Sequence, residues 1–367
     1  MKLGLHLGYW GASPTDVMPL VAEAERLGFD SVWSAEAYGS DAVSIIAWVA
    51  ARTQRIDVGT AVMQIPARTP ATTAMTAITL DHLTGGRFRL GLGMSGPQVV
   101  EGWHGVAYGR PLARTGEYVH VVREILRRAT PVEHAGDYYT IPAQGGTGLG
   151  KPLKTIVHPL RSDLPIYLAA IGPRNVALAA EIADGWLPTI FAPSHADVFE
   201  PSLKEGFARR TLPMTPPSAS GGPLVVTSLS RTDPARATLP SPPDFDVAAM
   251  CPVLVGEDVQ ACRDMLKPYL ALYVGGMGAR GRNFYTDLVG RYGYESEAAR
   301  VQELYLEGRK GEAAGAVPDD LVDDTSLVGP PDRIRGRLEE WRGAGIGTLI
   351  AVTTQPEALR ALADAAA

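Results

Sequence analysis

The chain alternates short apolar runs with stretches of helical period, and this alternation restricts the fold more than any single motif does. The runs fall at residues 3–8, 30–35, 56–62, 87–93, 164–169, 185–189, 247–255 and 348–352. Between and after them lie amphipathic stretches at 16–27, 41–52, 69–83, 114–128, 175–183, 260–273, 331–344 and 356–366. In the first of these, Val17, Leu20, Val21, Ala24 and Leu27 share one helical face. Eight strands interleaved with helices predict an α/β fold, a closed (β/α)8 TIM barrel. The first and last runs lie near the two termini, as closure of a barrel requires. An open, doubly wound sheet would call for G-x-G-x-x-G after the first strand, and Gly8-Tyr9-Trp10-Gly11-Ala12 stands there instead.

Two segments break the rhythm and are expected as insertions at the C-terminal face of the barrel. Residues 131–163 hold a hairpin pattern over 133–140 and then the loop Gln144-Gly145-Gly146-Thr147-Gly148-Leu149-Gly150. That loop is not a phosphate loop, because Lys151-Pro152 follows it in place of Lys-Ser/Thr and a helix. Residues 211–244 are rich in proline, serine and threonine and read as an irregular inserted loop, while 274–326 read as mostly helical. The whole chain, 1–367, is expected to be one barrel domain. A formal net charge of -6 without a basic block argues against nucleic acid as a partner. No stretch has the apolar length of a membrane span, and the start of the chain shows no signal-peptide pattern. Cys251 and Cys262 are too far apart for C-x-x-C and have no histidine cluster nearby, so both read as reduced core residues and no metal is expected. The expected setting is the cytoplasm.

Ligands of such barrels bind where the strands end. Those ends offer His6, Tyr9 and Trp10; Glu36 and Tyr38; Ala61, Val62, Met63 and Gln64; Met94, Ser95, Gly96 and Gln98; Ala169, Ala170, Ile171 and Gly172; and Trp186 and Thr189. The set is apolar and aromatic with few charges, which suits a planar ring better than a sugar or a hard metal. No strand-end carboxylate pair, H-E-x-x-H or G-x-S-x-G appears. Small residues at Ser95-Gly96 and at Ala170-Ile171-Gly172 let backbone N–H groups face an anion, and the second, before a late helix, is the better phosphate candidate. Gly91 and Gly93 leave room for another group to approach the fourth strand. Asp184, at the start of the sixth strand, reads as a brace of the barrel.

Several segments, in order, resemble the luciferase-like monooxygenase family, and more closely its actinobacterial branch that uses the deazaflavin coenzyme F420. They are 87–93 (Arg-Phe-Arg-Leu-Gly-Leu-Gly), 169–173 (Ala-Ala-Ile-Gly-Pro), 183–186 (Ala-Asp-Gly-Trp), 35–41 (Ala-Glu-Ala-Tyr-Gly-Ser-Asp) and 272–278 (Leu-Tyr-Val-Gly-Gly-Met-Gly). The resemblance spans about residues 1–200 and 246–352 and leaves out 211–244. It implies a ring bound at the strand ends, a non-proline cis peptide at Ala61-Val62 behind the ring, and a phosphate held by Ala169 to Gly172 with Thr189 nearby. It also places Glu36 at the position of an acid near the coenzyme. Sugar-phosphate dehydrogenases similar to this family carry a histidine, a glutamate and a lysine where this chain has Ala37, Gly96 and Ala192. Glucose 6-phosphate is therefore not expected as substrate, and the proton donor must lie elsewhere, with His6, Glu36, Tyr38 and His104 as candidates. The resemblance implies an oxidoreductase that moves a hydride between F420 and a small organic substrate. The alternatives are an FMN-dependent monooxygenase and a flavin- or deazaflavin-binding protein without catalysis. A homodimer is the one protein partnership left open.

Overall fold

The computed structural model describes residues 1–210, 238–278 and 281–366. Its strands, in chain order, are β1 (Lys2–His6), β2 (Ser31–Ser34), β3 (Asp57–Thr60), β4 (Met63–Gln64), β5 (Phe88–Gly93), β6 (His134–Ala135), β7 (Thr140–Ile141), β8 (Ile166–Ala169), β9 (Gly185–Leu187), β10 (Asp246–Val255), β11 (Leu327–Gly329) and β12 (Thr348–Val352). Parallel pairing runs β1–β2–β3–β5–β8–β9–β10–β12 and returns from β12 to β1, so the sheet closes into an eight-stranded barrel with helices outside. The eight runs read from the sequence are these eight strands. The additional strand β11 pairs with Val253–Val255, the end of β10 that extends beyond its pairing with β12. β6 and β7 form the expected antiparallel hairpin.

The helices start where side-chain chemistry permits. Thr69 accepts the Thr72 N–H ahead of Pro70–Thr84, and Asp41 accepts the Ser44 N–H ahead of Ala42–Ala50. Two helical pieces after β9, Pro193–Phe199 and Glu200–Arg209, were not anticipated, since Pro193 and Pro201 interrupt the apolar period. Within the expected insertion, residues 211–237 lie outside the described residues. Leu239, by contrast, is buried and donates its N–H to the Ala344 carbonyl, so the end of that segment packs against the turn before β12.

The N-terminal end of the barrel is closed by charge. Arg89 on β5 donates to Asp57 on β3 and to the Tyr167 hydroxyl on β8, and Tyr167 donates to Asp246 on β10, which also accepts the Thr348 hydroxyl of β12. Asp184 accepts from Arg123 and from the Ile166 N–H, which is the brace expected of it. Above this layer, Trp33, Tyr167, Leu187, Ala248 and Ile350 fill the barrel interior.

Candidate functional site

At the C-terminal end this interior cluster changes character. Its members there, Val62, Ala169 and Met250, are only partly buried and present an apolar surface to the mouth. Gly93 lies among them: a methyl group on it would come within 2.7 Å of Val62 Cγ2 and 3.6 Å of Ala169 Cβ. Together they form a bed with no polar side chain of its own, which fits a planar heteroaromatic ring. Behind the bed the Ala61-Val62 peptide is cis, between β3 and β4, as the resemblance implied. Gly91, in contrast, receives no ligand. A methyl there would sit 1.7 Å from the Thr60 carbonyl oxygen, and the Thr60 hydroxyl bonds both the N–H and the C=O of Gly91. The first glycine of the motif admits a neighbouring strand, and the second admits the bed.

The candidate acids and bases turn out to be committed to this scaffold. His6 accepts the Gly8 N–H at Nδ1 (3.2 Å), so its proton sits on Nε2 and points to the Ala61 carbonyl (3.2 Å). Burial lowers the pKa of His6 and keeps the ring neutral. It therefore holds the carbonyl of Ala61 at the cis peptide. Glu36 forms a bidentate pair with Arg68 and accepts the N–H groups of Gln64 (2.8 Å) and Ala42 (3.0 Å); its side chain is 6% exposed. Its lone pairs are filled, so the carboxylate is tied into the scaffold. His104 does reach the mouth: its Nε2 bonds the Gln64 side-chain oxygen at 3.3 Å, and the Gln64 amide nitrogen donates to Ala37. Arg68 and Gln64 were missed as site residues because their role depends on where Glu36 points, which no local pattern encodes.

The turn after β8 leaves backbone donors open. Ala170 and Ile171 lead to Gly172, which caps the ten-residue helix Pro173–Ile182. The Ala170 carbonyl accepts the Trp186 indole (2.9 Å) and the Ile171 carbonyl accepts Arg291 (3.3 Å). The N–H groups of the turn have no partner among the described residues, which leaves them for an anion. Trp186 is fully buried against Phe191 and Phe199, so it supports this turn from the core and does not contact a ligand, a correction to its expected role. Gly172 is not sterically forced, since a methyl there would meet only the Phe284 ring at 3.8 Å. After β5, Met94 is half-buried, Ser95 adopts φ 62°, a conformation uncommon outside glycine, and Gly96 opens the six-residue helix Pro97–Gly102.

An excursion after β10 forms the far wall. The helix Val259–Ala271 runs into the π-helical turn Leu272–Gly276. A methyl on Gly96 would face the Met277 carbonyl at 3.9 Å, and Phe284 stands by Gly172, so the excursion spans the turns after β5 and β8. Thr189, past β9, sits beside Tyr269 of this wall. The Tyr269 and Tyr273 rings are tilted to each other with centroids 4.7 Å apart, Tyr273 and Tyr285 meet edge to face at 4.9 Å, and Tyr9 and Tyr38 approach from the turns after β1 and β2. The Trp10 indole N–H, also at this rim, is buried without a hydrogen-bond partner among the described residues, a donor left for a ligand. Tyr269, Tyr273 and Tyr285 escaped sequence reasoning because they lie far along the chain from any strand end.

Comparison with known proteins accords with this geometry. Residues 2–348 match the family model described as luciferase-like monooxygenase. A Mycobacterium tuberculosis protein provisionally named a coenzyme F420-dependent oxidoreductase is 48% identical over 366 residues, covering 99% of this chain and 98% of its own length. The solved coenzyme F420-dependent tetrahydromethanopterin reductase of Methanopyrus kandleri superposes with a TM-score of 0.75 at 23% identity, covering 99% of this chain and 97% of its own. An F420-dependent secondary alcohol dehydrogenase, solved with an F420–acetone adduct, superposes with a TM-score of 0.71 at 18% identity, covering 99% and 96%.

Proposed function

The chain belongs to the luciferase-like monooxygenase family, and from that premise we propose that it is an oxidoreductase transferring a hydride between coenzyme F420 and a small organic substrate. The observation that carries this reading is the apolar bed of Val62, Gly93, Ala169 and Met250 above a closed barrel, in a chain 48% identical over nearly its whole length to a relative provisionally named F420-dependent. The coenzyme, when bound, supplies the hydride chemistry. Val62, Ala169 and Met250 would support its ring, with Ala61 held behind them by His6, and the backbone of Ala170 to Gly172 would hold its phosphate. Met94, Ser95 and Gly96 would border the ring on the β5 side, and Thr189 would stand on the opposite side. Glu36 acts here as a positioning residue that fixes Gln64, and through it His104, at the rim. The excursion wall limits access of water to the bed and orients the substrate against it.

The reading extends to one barrel domain over 1–367, with 131–163 and 211–244 as excursions from it, and to a cytoplasmic protein. No helix among the described residues is long and apolar enough to cross a membrane. A homodimer is supported by the exposed apolar side chains of Leu149, Leu153, Ile156, Val157 and Leu160. Fluorescence titration with F420 and with FMN tests the cofactor. F420 is expected to bind tightly and FMN weakly, and preference for FMN would replace this reading by a flavin-dependent one.

A further inference from the structure

The histidines, carboxylate and guanidiniums whose hydrogen bonds reach the bed and its turns are committed to the scaffold. His6 bonds the Ala61 carbonyl, Glu36 and Arg68 bond each other, His104 bonds Gln64, and Arg291 bonds the Ile171 carbonyl. What remains is phenolic. Tyr269 and Tyr273 are four residues apart at the end of the helix Val259–Ala271 and the turn that follows, so both project from one side of the excursion. Their rings lie 4.7 Å apart, Tyr285 joins at 4.9 Å, and Tyr9, 41% exposed, links the group to solvent. We propose that Tyr269, with Tyr273 and the Thr189 hydroxyl beside it, donates the proton that accompanies hydride transfer, and that the substrate is uncharged and carries its acceptor oxygen at the reacting carbon. This rests on the coenzyme reading above.

The chemistry balances without a further reactant. In the reducing direction, the substrate carbonyl carbon would form a C–H bond with the hydride, taking two electrons from reduced deazaflavin, which would be left oxidised after its ring N–H proton passes to water. The C=O π pair moves to oxygen, and that oxygen bonds the Tyr269 proton. The phenolate left behind is reprotonated from water by way of Tyr273 and Tyr9. Oxidation of the alcohol runs the same steps in reverse. Burial pushes the Tyr269 phenol up to about 12, while Thr189 and Tyr273 favour its ionised form. Tyr273, facing Tyr269 in the same buried cluster and near Tyr9, is held well above the usual phenol range, so Tyr269 is the better donor of the pair. A buried carboxylate or phosphate on the substrate would meet these phenols and the Trp10 N–H, and among the described residues no cation acts on Tyr273 or Tyr285, a poor exchange for its hydration.

The test uses cyclohexanone and cyclohexanecarboxylate as probes of equal size, with binding read by saturation-transfer NMR on the F420-loaded protein. The ketone is expected to bind and the carboxylate not. Tyr269→Phe should keep F420 affinity within about 2-fold, weaken ketone binding, and slow single-turnover ketone reduction about 10²-fold. Thr189→Val guards against a folding defect in the first variant: it should move the alkaline limb of the pH–rate profile upward by removing a group that favours the phenolate. Preferred binding of the carboxylate, binding of neither probe, or a Tyr269→Phe protein as fast as the parent would overturn the proposal. Failure of the parent protein to bind F420 would instead remove the reading beneath it, and fluorescence titration shows that separately.

Discussion

Replacing Arg68 by alanine tests whether the Glu36 carboxylate is scaffold or catalyst. Loss of one partner from a buried ion pair costs about 3–5 kcal/mol. Here the orphaned carboxylate, 6% exposed, keeps the N–H groups of Gln64 and Ala42, and the Arg68 side chain it loses is itself 18% exposed, so water enters the vacated space. Both effects lower the cost to about 2–3 kcal/mol. An unfolding entropy near 2.1 cal/mol/K per residue gives about 0.8 kcal/mol/K for a chain of 367 residues, so Tm should fall by about 3–4 °C. Glu36→Gln should also destabilise, because whichever way the amide turns, its NH2 faces a donor already present. The double variant should cost less than the sum of the singles by about 1 kcal/mol or more, since the two side chains share one interaction. Differential scanning calorimetry measures all three. With coenzyme and substrate saturating, both singles should keep most of the parent rate of hydride transfer. Additive stability losses, or a Glu36→Gln protein with unchanged Tm and an abolished hydride step, would refute the scaffold argument.

Two further outcomes follow from the geometry. Gly93→Ala should fold, because the obstructing Val62 Cγ2 at 2.7 Å is a side-chain tip, yet weaken F420 binding about tenfold by tilting the bed, whereas Gly91→Ala, 1.7 Å from a backbone oxygen, should not yield folded protein; comparable Tm values for the two would contradict this. Acid stability should depend on Asp323: burial alone would raise its pKa, but the guanidiniums of Arg263 (2.6 Å) and Arg333 (2.7 Å) more than reverse that, so the folded value lies below the unfolded one. The stabilisation is then fully present above about pH 4 and is lost as pH falls through the folded pKa, so Asp323→Asn should lower Tm at neutral pH and flatten the acid limb of Tm against pH.

The parts of this molecule that the sequence exposed are those a barrel cannot be built without. Strand period, the glycines of β5, the Thr69-Pro70 helix start and the Asp184 brace are each local, and each meets its neighbours at fixed offsets. The segments that carried the family resemblance belong to this class. Arg89 ties β5 to Asp57 and Tyr167 at the closed end of the barrel, Arg87 bonds the Ile56 carbonyl, a methyl on Gly185 would come within 2.3 Å of the Tyr167 ring, and Trp186 is core. They identify the scaffold because packing leaves few substitutes, and for the same reason they say little about the substrate. β11 was hidden because three residues give too short a run to separate from the helical stretch before it.

Site residues followed a different logic. The strand-end rule pointed to the residues of the proposed bed and the β8 turn, since a residue's place along a strand decides whether it can meet a ligand. It could not say whether a strand-end acid was free, because the answer for Glu36 lies with Arg68, 32 residues on, and for His6 with a carbonyl 55 residues away. Nor could it find Tyr269, which lies on a helix after β10 and beside Thr189. The outcome is a division of labour within one face. Polar side chains carried by the first three strands and their turns are spent fixing the Ala61-Val62 ledge, and on the reading proposed above the phenols of the late excursion meet the substrate. That division is why an acid or base read from a strand end in this chain should be examined first as scaffold, and why the phenols of the excursion are the residues on which substrate specificity should be sought by mutation.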